Sequence, residues 1–270
     1  PLVSSSAASD VYKRQLMKVA GIQHDIVWED KERNFTNLRP LISQAAETAP
    51  DLIILTELFS TGFSMNTEMI SEGIDGPSIS FLMNEAERTG IPICGSVPAT
   101  TDRFKEPHNF LVVAYPNNSM ESYAKKHLFT FAKEDNHYVP GHETLTLNIA
   151  GTAVSFFICF DLRFAPDFWD LAPTTDLYVV IANWPKTRAH HWKSLLTARA
   201  IENQAYVMGV NRVGSGDGIS YSGDSRLIDP LGDEVVVANS GATEIIVGEV
   251  SSSVVSEVRS QYPFLDDRSQ

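Results

Sequence analysis

The segment SFFICFDLR, residues 155–163, decides how this chain folds and where its chemistry lies. A run of apolar residues ends in Cys159, and polar residues begin almost directly after it, which predicts a buried strand that stops at the cysteine. Strand ends are where α/β proteins build their sites. The other cysteine, Cys94, lies inside the apolar run IPICG at 91–95 and is typical of an inert core residue.

On both sides of this segment, strand-like runs alternate with amphipathic helical patterns, which predicts an α/β fold. Helices are expected at 35–48, 78–88 and 190–203, with a kink at Pro40 in the first. Strands are expected at 18–23, 51–55, 91–97, 110–115, 145–149, 153–158, 177–181, 206–211, 225–229, 234–237 and 244–250. A further strand, the hairpin partner of 110–115, is expected to end near residue 125. Since no linker divides the chain, residues 17–270 are predicted to form a single domain.

Two more chemically active side chains are predicted to lie at strand ends. Glu57 follows the apolar run LIILT at 52–56, where a carboxylate must pair, shift its pKa or reach a cleft. Taken alone it is as well explained as a structural acid paired to an arginine. Lys125 and Lys126 end another strand, and because neighbours on a strand point to opposite sides, one of the two can face inward.

An acid, an ammonium and a thiol at the carboxyl ends of strands form a reactive combination. Neighbouring strands of one sheet would bring Glu57, Lys125 and Cys159 together. The ammonium lowers the thiol pKa and stabilises an oxyanion, and the carboxylate takes the thiol proton. These three side chains are therefore the candidate catalytic residues.

The composition restricts partners and cofactors. A net charge of −13 argues against nucleic acid as a partner, and no apolar stretch is long enough to span a membrane. The two cysteines form no CxxC pair and the histidines no HExxH pair, so neither a metal nor another cofactor is predicted. A reducing, cytoplasmic location is the simplest expectation.

The two ends of the chain are interpreted separately. Residues 1–16 resemble a translated sequencing adapter or a disordered extension, and Met17 is taken as the natural start. The C-terminal tail, residues 252–270, carries apolar side chains beyond the last predicted strand. Such a segment rarely stays free in water, so the tail is expected to pack across a dimer partner.

Several segments together resemble the nitrilase-like carbon–nitrogen hydrolase superfamily, from Met17 to about Val250. They are TELF 56–59, YAKKHLF 123–129, CFDLRF 159–164, NWP 183–185, ARAIEN 198–203, GVNRVG 209–214 and SYSGDS 220–225. The resemblance implies a four-layer αββα sandwich that pairs as αββα–αββα in a homodimer or a higher oligomer.

The resemblance also implies roles for individual residues. Cys159 is the nucleophile, Glu57 the general base and Lys125 an oxyanion donor, together with the backbone N–H of Phe160. A second glutamate assists in this superfamily, and Glu134 best matches its position. Glu143 is the alternative, and either glutamate is otherwise a solvated loop acid.

Within the superfamily, the residues after the cysteine resemble the amidase branches, and 183–192 resembles bacterial ω-amidases. This implies hydrolysis of a small amide such as 2-oxoglutaramate, whose distal carboxylate needs a cation. Arg188 is the candidate and Arg163 the alternative. Trp184, Phe63 and Phe160 would form the apolar wall, although core packing explains Trp184 equally well. Other open alternatives are an amidase for deaminated glutathione or aliphatic amides, and a non-catalytic binding protein.

Overall fold

The described part of the chain comprises residues 16–101 and 105–269 of a computed structural model. Its helices are α1 (Lys31–Glu47), α2 (Thr67–Ile70), α3 (Pro77–Thr89), α4 (Ala165–Leu171), α5 (Ala189–Asn203) and α6 (Ser252–Gln261). Its strands are β1 (Leu16–Gln23), β2 (Leu52–Ile54), β3 (Ile93–Ala99), β4 (His108–Ala114), β5 (Met120–Ala124), β6 (Leu145–Ile149), β7 (Thr152–Ile158), β8 (Leu177–Ala182), β9 (Tyr206–Asn211), β10 (Val213–Gly216), β11 (Ile219–Ser222), β12 (Arg226–Ile228), β13 (Glu234–Val237) and β14 (Glu244–Ser251).

The described strands form two mixed sheets built on the same plan. The first has the order β14-β1-β2-β3-β4-β5 and the second the order β13-β12-β9-β8-β7-β6. In the first sheet β1, β2 and β3 are parallel, and in the second β7, β8 and β9 are parallel. Antiparallel strands flank each parallel core, and β10 pairs with β11 in a separate hairpin.

Apolar side chains hold four layers together. One core lies between the two sheets, a second between the first sheet and helices α1 and α3, and a third between the second sheet and helices α4 and α5. Because both faces of each sheet are covered, the central strands are buried along their whole length. The predicted four-layer αββα sandwich is confirmed.

Helix α1 shows how local sequence sets these layers. Its buried residues include Phe35, Leu38 and Ile42, whose spacing of three and four places them on one face. Asp30 caps its first turn by accepting a hydrogen bond from a backbone N–H. The helix continues through Pro40, which lies on its exposed face.

The candidate residues lie at one edge of the sandwich, but not in one sheet. Glu57 follows β2 and Lys125 follows β5, both in the first sheet, whereas Cys159 follows β7 in the second. The expectation that a single sheet brings them together is therefore wrong. Two sheets stacked face to face place the ends of their strands along the same edge, and this packing brings the three residues together.

Most of the C-terminal tail packs against its own chain. Val255 and Val258 of α6 are buried, the former in the core between the sheets. The Arg259 guanidinium donates to Thr175 O at 2.7 Å. The apolar face of helix α6 is therefore buried within its own chain, and the contact of the tail with a dimer partner stays a prediction. The homodimer itself stays a prediction.

The start of the described chain also differs from expectation. Leu16, which the sequence prediction assigned to the extension, is the first residue of β1 and pairs with Ser251. Residues 1–15 lie outside the described residues. Within the described ranges, no helix combines the length and the apolar character needed to cross a membrane.

We predict that Gly141→Ala lowers the free energy of unfolding by about 1–3 kcal/mol, because an added Cβ has no room. That Cβ would lie 2.3 Å from the carbonyl oxygen of Ala124, at the end of β5. Urea unfolding measures the change. Gly73→Ala is the matched control, since nothing lies within 4 Å of its added Cβ. Equal midpoints for the two variants would contradict the prediction.

Candidate active site

Glu57 is held by hydrogen bonds from both sheets. The side chain is fully buried just after β2. Its Oε1 accepts from Asn109 Nδ2 at 3.0 Å and from Lys125 Nζ at 2.9 Å. Its Oε2 accepts from the backbone N–H of Asn183 at 2.8 Å. The cation paired with this carboxylate is therefore a lysine, and the alternative of a structural acid paired to an arginine does not hold.

Lys125 lies between two carboxylates and is itself fully buried. Its Nζ is 2.9 Å from Glu57 Oε1 and 2.9 Å from Glu134 Oε1. Burial alone lowers the pKa of the ammonium, but Glu134 and Glu57 raise that pKa well above its ordinary value. The ammonium therefore keeps its charge. Lys126 points the other way and pairs with Asp167 near the surface.

Glu134 completes the cluster from a 3₁₀ turn, Glu134–Asn136. It is fully buried, and its Oε2 accepts from the backbone N–H of Phe129. Burial raises the pKa of its carboxyl group, while Lys125 opposes the increase. Glu143, the alternative candidate, is exposed and does not line the cavity described below.

Cys159 begins a 3₁₀ turn, Cys159–Arg163, directly after β7. Its φ of 46° lies in the left-handed region, a strained backbone conformation of the kind that clusters at active sites. Burial raises the pKa of the thiol well above its ordinary value, and Glu57 adds to the increase by its charge and by a hydrogen bond. At neutral pH the group is therefore a thiol poised next to a carboxylate.

Asp161 holds together the two turns that carry the thiol and the ammonium. It is fully buried, and its carboxylate accepts from Ile158 N at 3.0 Å, His127 N at 2.8 Å and Tyr123 Oη at 2.8 Å. The sequence analysis assigned it no role. A carboxylate directly after an apolar strand was the available signal, but two of its three donors, His127 and Tyr123, lie too far along the chain to be identified.

A cavity of about 840 Å³ opens above Cys159. Its walls are largely aromatic and include Phe63, Phe129, Phe160, Trp184 and Tyr221. Trp184 both lines the cavity and packs on Trp192 with ring centroids 5.5 Å apart, so the two interpretations of this residue apply together. Phe160 is the second residue of the 3₁₀ turn, where a backbone N–H has no partner within the turn.

Both candidate arginines line this cavity. The Arg188 guanidinium lies 5.3 Å from the centre of the Phe129 ring, and that of Arg163 lies 5.1 Å from the Trp184 ring. Burial lowers the pKa of Arg163, and the nearby charge of Arg188 lowers it further. Among residues 16–101 and 105–269, no carboxylate forms an ion pair with either arginine.

This arrangement is suited to acyl transfer. The Cys159 thiol lines the cavity, a carboxylate and an ammonium are buried behind it, and two arginines lie on the cavity wall. Across the described ranges, no three His, Cys, Asp or Glu side chains are grouped to hold a metal ion.

Known proteins resemble this chain over nearly its whole length. The family model that matches residues 18–260 describes a carbon-nitrogen hydrolase. The omega-amidase YafV of Escherichia coli K12 is 36% identical, covering 93% of this chain and 96% of the relative. The 2-oxoglutaramate amidase of Bacillus subtilis is 32% identical, covering 92% and 96%.

A solved structure shares both the sequence similarity and the fold. XC1258 from Xanthomonas campestris, a CN-hydrolase superfamily protein with an arsenic adduct in its active site, has a TM-score of 0.86 at 36% identity. The match covers 93% of this chain and 97% of that chain. With the fold, the family model and these relatives in agreement, the chain belongs to the carbon-nitrogen hydrolase family and is an amidase acting on carbon–nitrogen bonds.

Proposed function

We propose that the chain hydrolyses a small primary amide with a distal carboxylate, through a thioester on Cys159. The ω-amide of a 2-oxo acid such as 2-oxoglutaramate fits this description. One observation carries the proposal: Arg163 and Arg188 line the same cavity as Cys159, and no carboxylate of the described residues forms an ion pair with either. An omega-amidase and a 2-oxoglutaramate amidase among the relatives support it.

In the first half of the reaction, Cys159 attacks the amide carbonyl. The thiol proton passes to Glu57 as the S–C bond forms, which explains how a thiol with a raised pKa serves as a nucleophile. The C–N bond then breaks, the nitrogen takes the proton from Glu57, and ammonia leaves. The product of this half is a thioester on Cys159.

The carbonyl oxygen needs donors while it carries negative charge. Lys125 Nζ has three N–H groups, and Glu57 Oε1 and both oxygens of Glu134 accept from it, at 2.9, 2.9 and 3.0 Å. In the proposal, one N–H turns from Glu134 to the carbonyl oxygen of the substrate. The backbone N–H of Phe160 is the second donor in the proposal. The Lys125 side chain is fully buried, where such a donor is most effective.

In the second half of the reaction, water attacks the thioester. Glu57 takes one proton from the water, the C–S bond breaks, and that proton returns to the Cys159 sulfur. A carboxylic acid is released. Glu134 shares the ammonium with Glu57 and so keeps Lys125 in place through both halves.

The wall of the cavity explains the preference for a charged substrate. Two guanidinium groups near each other repel, and this repulsion contributes to the lowered pKa of Arg163. A substrate carboxylate relieves the repulsion and gains charge-assisted hydrogen bonds. An uncharged amide of the same length offers neither, so the carboxylate orients the molecule with its amide end towards Cys159.

Cys159→Ala is expected to lower turnover by at least ~10³-fold with the fold intact, because a covalent nucleophile is lost. Ammonia release and circular dichroism measure the two properties. Cys94→Ala is the matched control, since Cys94 is buried in the core between the sheets and should keep most activity. If the two variants behaved the other way round, the assignment of the nucleophile would be wrong.

Arg188→Ala should lower kcat/KM for 2-oxoglutaramate by about 2 kcal/mol, roughly 30-fold, as a half-exposed ion pair allows. Pentanamide, which has no carboxylate, should be hydrolysed at the parent rate. Lys186→Ala removes an exposed charge at the same cavity and serves as the control. An equal loss for the charged and the uncharged amide would make Arg188 structural.

Glu57→Gln should lower the pKa of Cys159 while it abolishes hydrolysis. Glu57 raises the thiol pKa through its charge and a hydrogen bond, so removing the charge favours the thiolate. The rate of alkylation by iodoacetamide, measured against pH, should rise at lower pH in the variant than in the parent. Glu143→Gln, an exposed control, should leave the curve in place. The prediction would be contradicted if the midpoint of the curve of alkylation rate against pH were unchanged or higher in Glu57→Gln.

A further inference from the structure

Asn183 is held in one orientation at the end of β8. It is 4% exposed, and its backbone N–H donates to Glu57 Oε2. Its side-chain Nδ2 donates to the backbone carbonyl oxygen of Glu57 at 2.6 Å. Because a carbonyl oxygen only accepts, the nitrogen of the Asn183 amide must face Glu57. The position of the other amide atom, Oδ1, is thereby fixed.

Asn183 Oδ1 is a buried acceptor without a donor. No N–H or O–H group of the described residues bonds to it, and leaving such an atom unpaired is unfavourable. Asn183 lines the cavity together with Cys159. Asn109, which also holds Glu57 and has an unpaired Oδ1, does not line it. Of these two asparagines, Asn183 is therefore the one placed to meet a ligand.

We infer that Asn183 Oδ1 accepts a hydrogen bond from an N–H of the scissile amide, which makes the site selective for amides over esters. The inference rests on the proposed function, because it concerns the same substrate and the same cavity. It adds a contact for the nitrogen of the substrate, whereas Arg163 and Arg188 recognise the far carboxylate.

The position of Glu57 explains why the nitrogen should lie there. The carbonyl oxygen of the substrate is directed to Lys125 and to the backbone N–H of Phe160. The nitrogen lies on the other side of the carbonyl carbon and must receive a proton from Glu57 before it leaves. Asn183 is hydrogen-bonded to both the backbone and the carboxylate of Glu57, the residue that delivers this proton, and it also lines the cavity.

The chemical consequence is a preference for amides over esters that does not depend on the size of the substrate. A primary amide has two N–H groups and satisfies the acceptor, whereas an ester of the same acid has none. With the ester bound, Oδ1 stays buried and unpaired, which lowers the affinity for the ester relative to the amide. Two ligands of nearly equal length and charge therefore test the contact: glutaramate and monomethyl glutarate.

The test measures binding without chemistry, in the Cys159→Ala protein, by titration calorimetry. We expect glutaramate to bind more tightly than monomethyl glutarate, and adding Asn183→Ala to reduce this ratio by about 5- to 30-fold. If the role of Asn183 were purely structural, Asn183→Ala would weaken the binding of both ligands equally and leave the ratio of their affinities unchanged. Because no bond is broken, the proton transfers of Glu57 do not enter the measurement.

Two further variants distinguish the role of Asn183 Oδ1 as an acceptor from the hydrogen bonds that hold Glu57 in place. Asn183→Asp keeps the acceptor and loses the donor, so it should retain the preference for the amide. Asn109→Ala removes another hydrogen bond to Glu57 and should also retain it. A loss of the preference in Asn109→Ala as large as in Asn183→Ala, or an unchanged ratio in Asn183→Ala, overturns the inference. Failure of Cys159→Ala to bind glutaramate at all overturns the proposed function, and the inference with it.

Discussion

A buried ammonium between two carboxylates is the constraint on which the rest of the site depends. Lys125, Glu57 and Glu134 are all fully buried, and removing the ammonium would leave two buried carboxylates without a counter-charge, at a cost of about 3–5 kcal/mol. Asn109 of the first sheet also donates to Glu57 Oε1, and Asn183, which follows a strand of the second sheet, donates to Oε2. The two sheets are thus joined by hydrogen bonds to Glu57 at the edge where their strands end, and the cavity opens at the same edge.

The backbone is strained at the same edge, which connects stability to function. Leu58 next to Glu57, Lys133 next to Glu134, and Cys159 itself all have positive φ values, of 43°, 60° and 46°. Each such residue costs on the order of 1–3 kcal/mol and persists only where its surroundings compensate. For the cysteine, the compensation includes Asp161, whose three hydrogen bonds hold the turn after β7 against the loop that follows β5.

The α/β class could be predicted because its signals are local, whereas the four layers were implied by the resemblance to a known superfamily. Cys159 was distinguished from Cys94 by the polar residues that follow it. The alternation of a strand indicated only that one of Lys125 and Lys126 faces inward, and the resemblance implied that it is Lys125. The contacts that support these residues could not be predicted in the same way. Asn183 bonds to Glu57 across 126 positions of the chain, and no periodicity encodes such a contact. Short elements such as α2, α4 and the β10–β11 hairpin were missed, since they are too brief to show a repeating pattern.

In the proposed function, the specificity of the cavity comes from its own polar groups. A wrong substrate would leave these groups without a hydrogen-bond or ion-pair partner. Aromatic walls contribute affinity but little discrimination, because a missing methylene changes binding by only about 1–3 kcal/mol. The polar ends are more selective. A neutral amide leaves Arg163 and Arg188 facing each other without a counter-ion, and an ester leaves Asn183 Oδ1 without a donor. Since these groups lie at opposite ends of the bound molecule, the carboxylate and the amide must be present together, at the right separation, before the carbonyl carbon can reach Cys159.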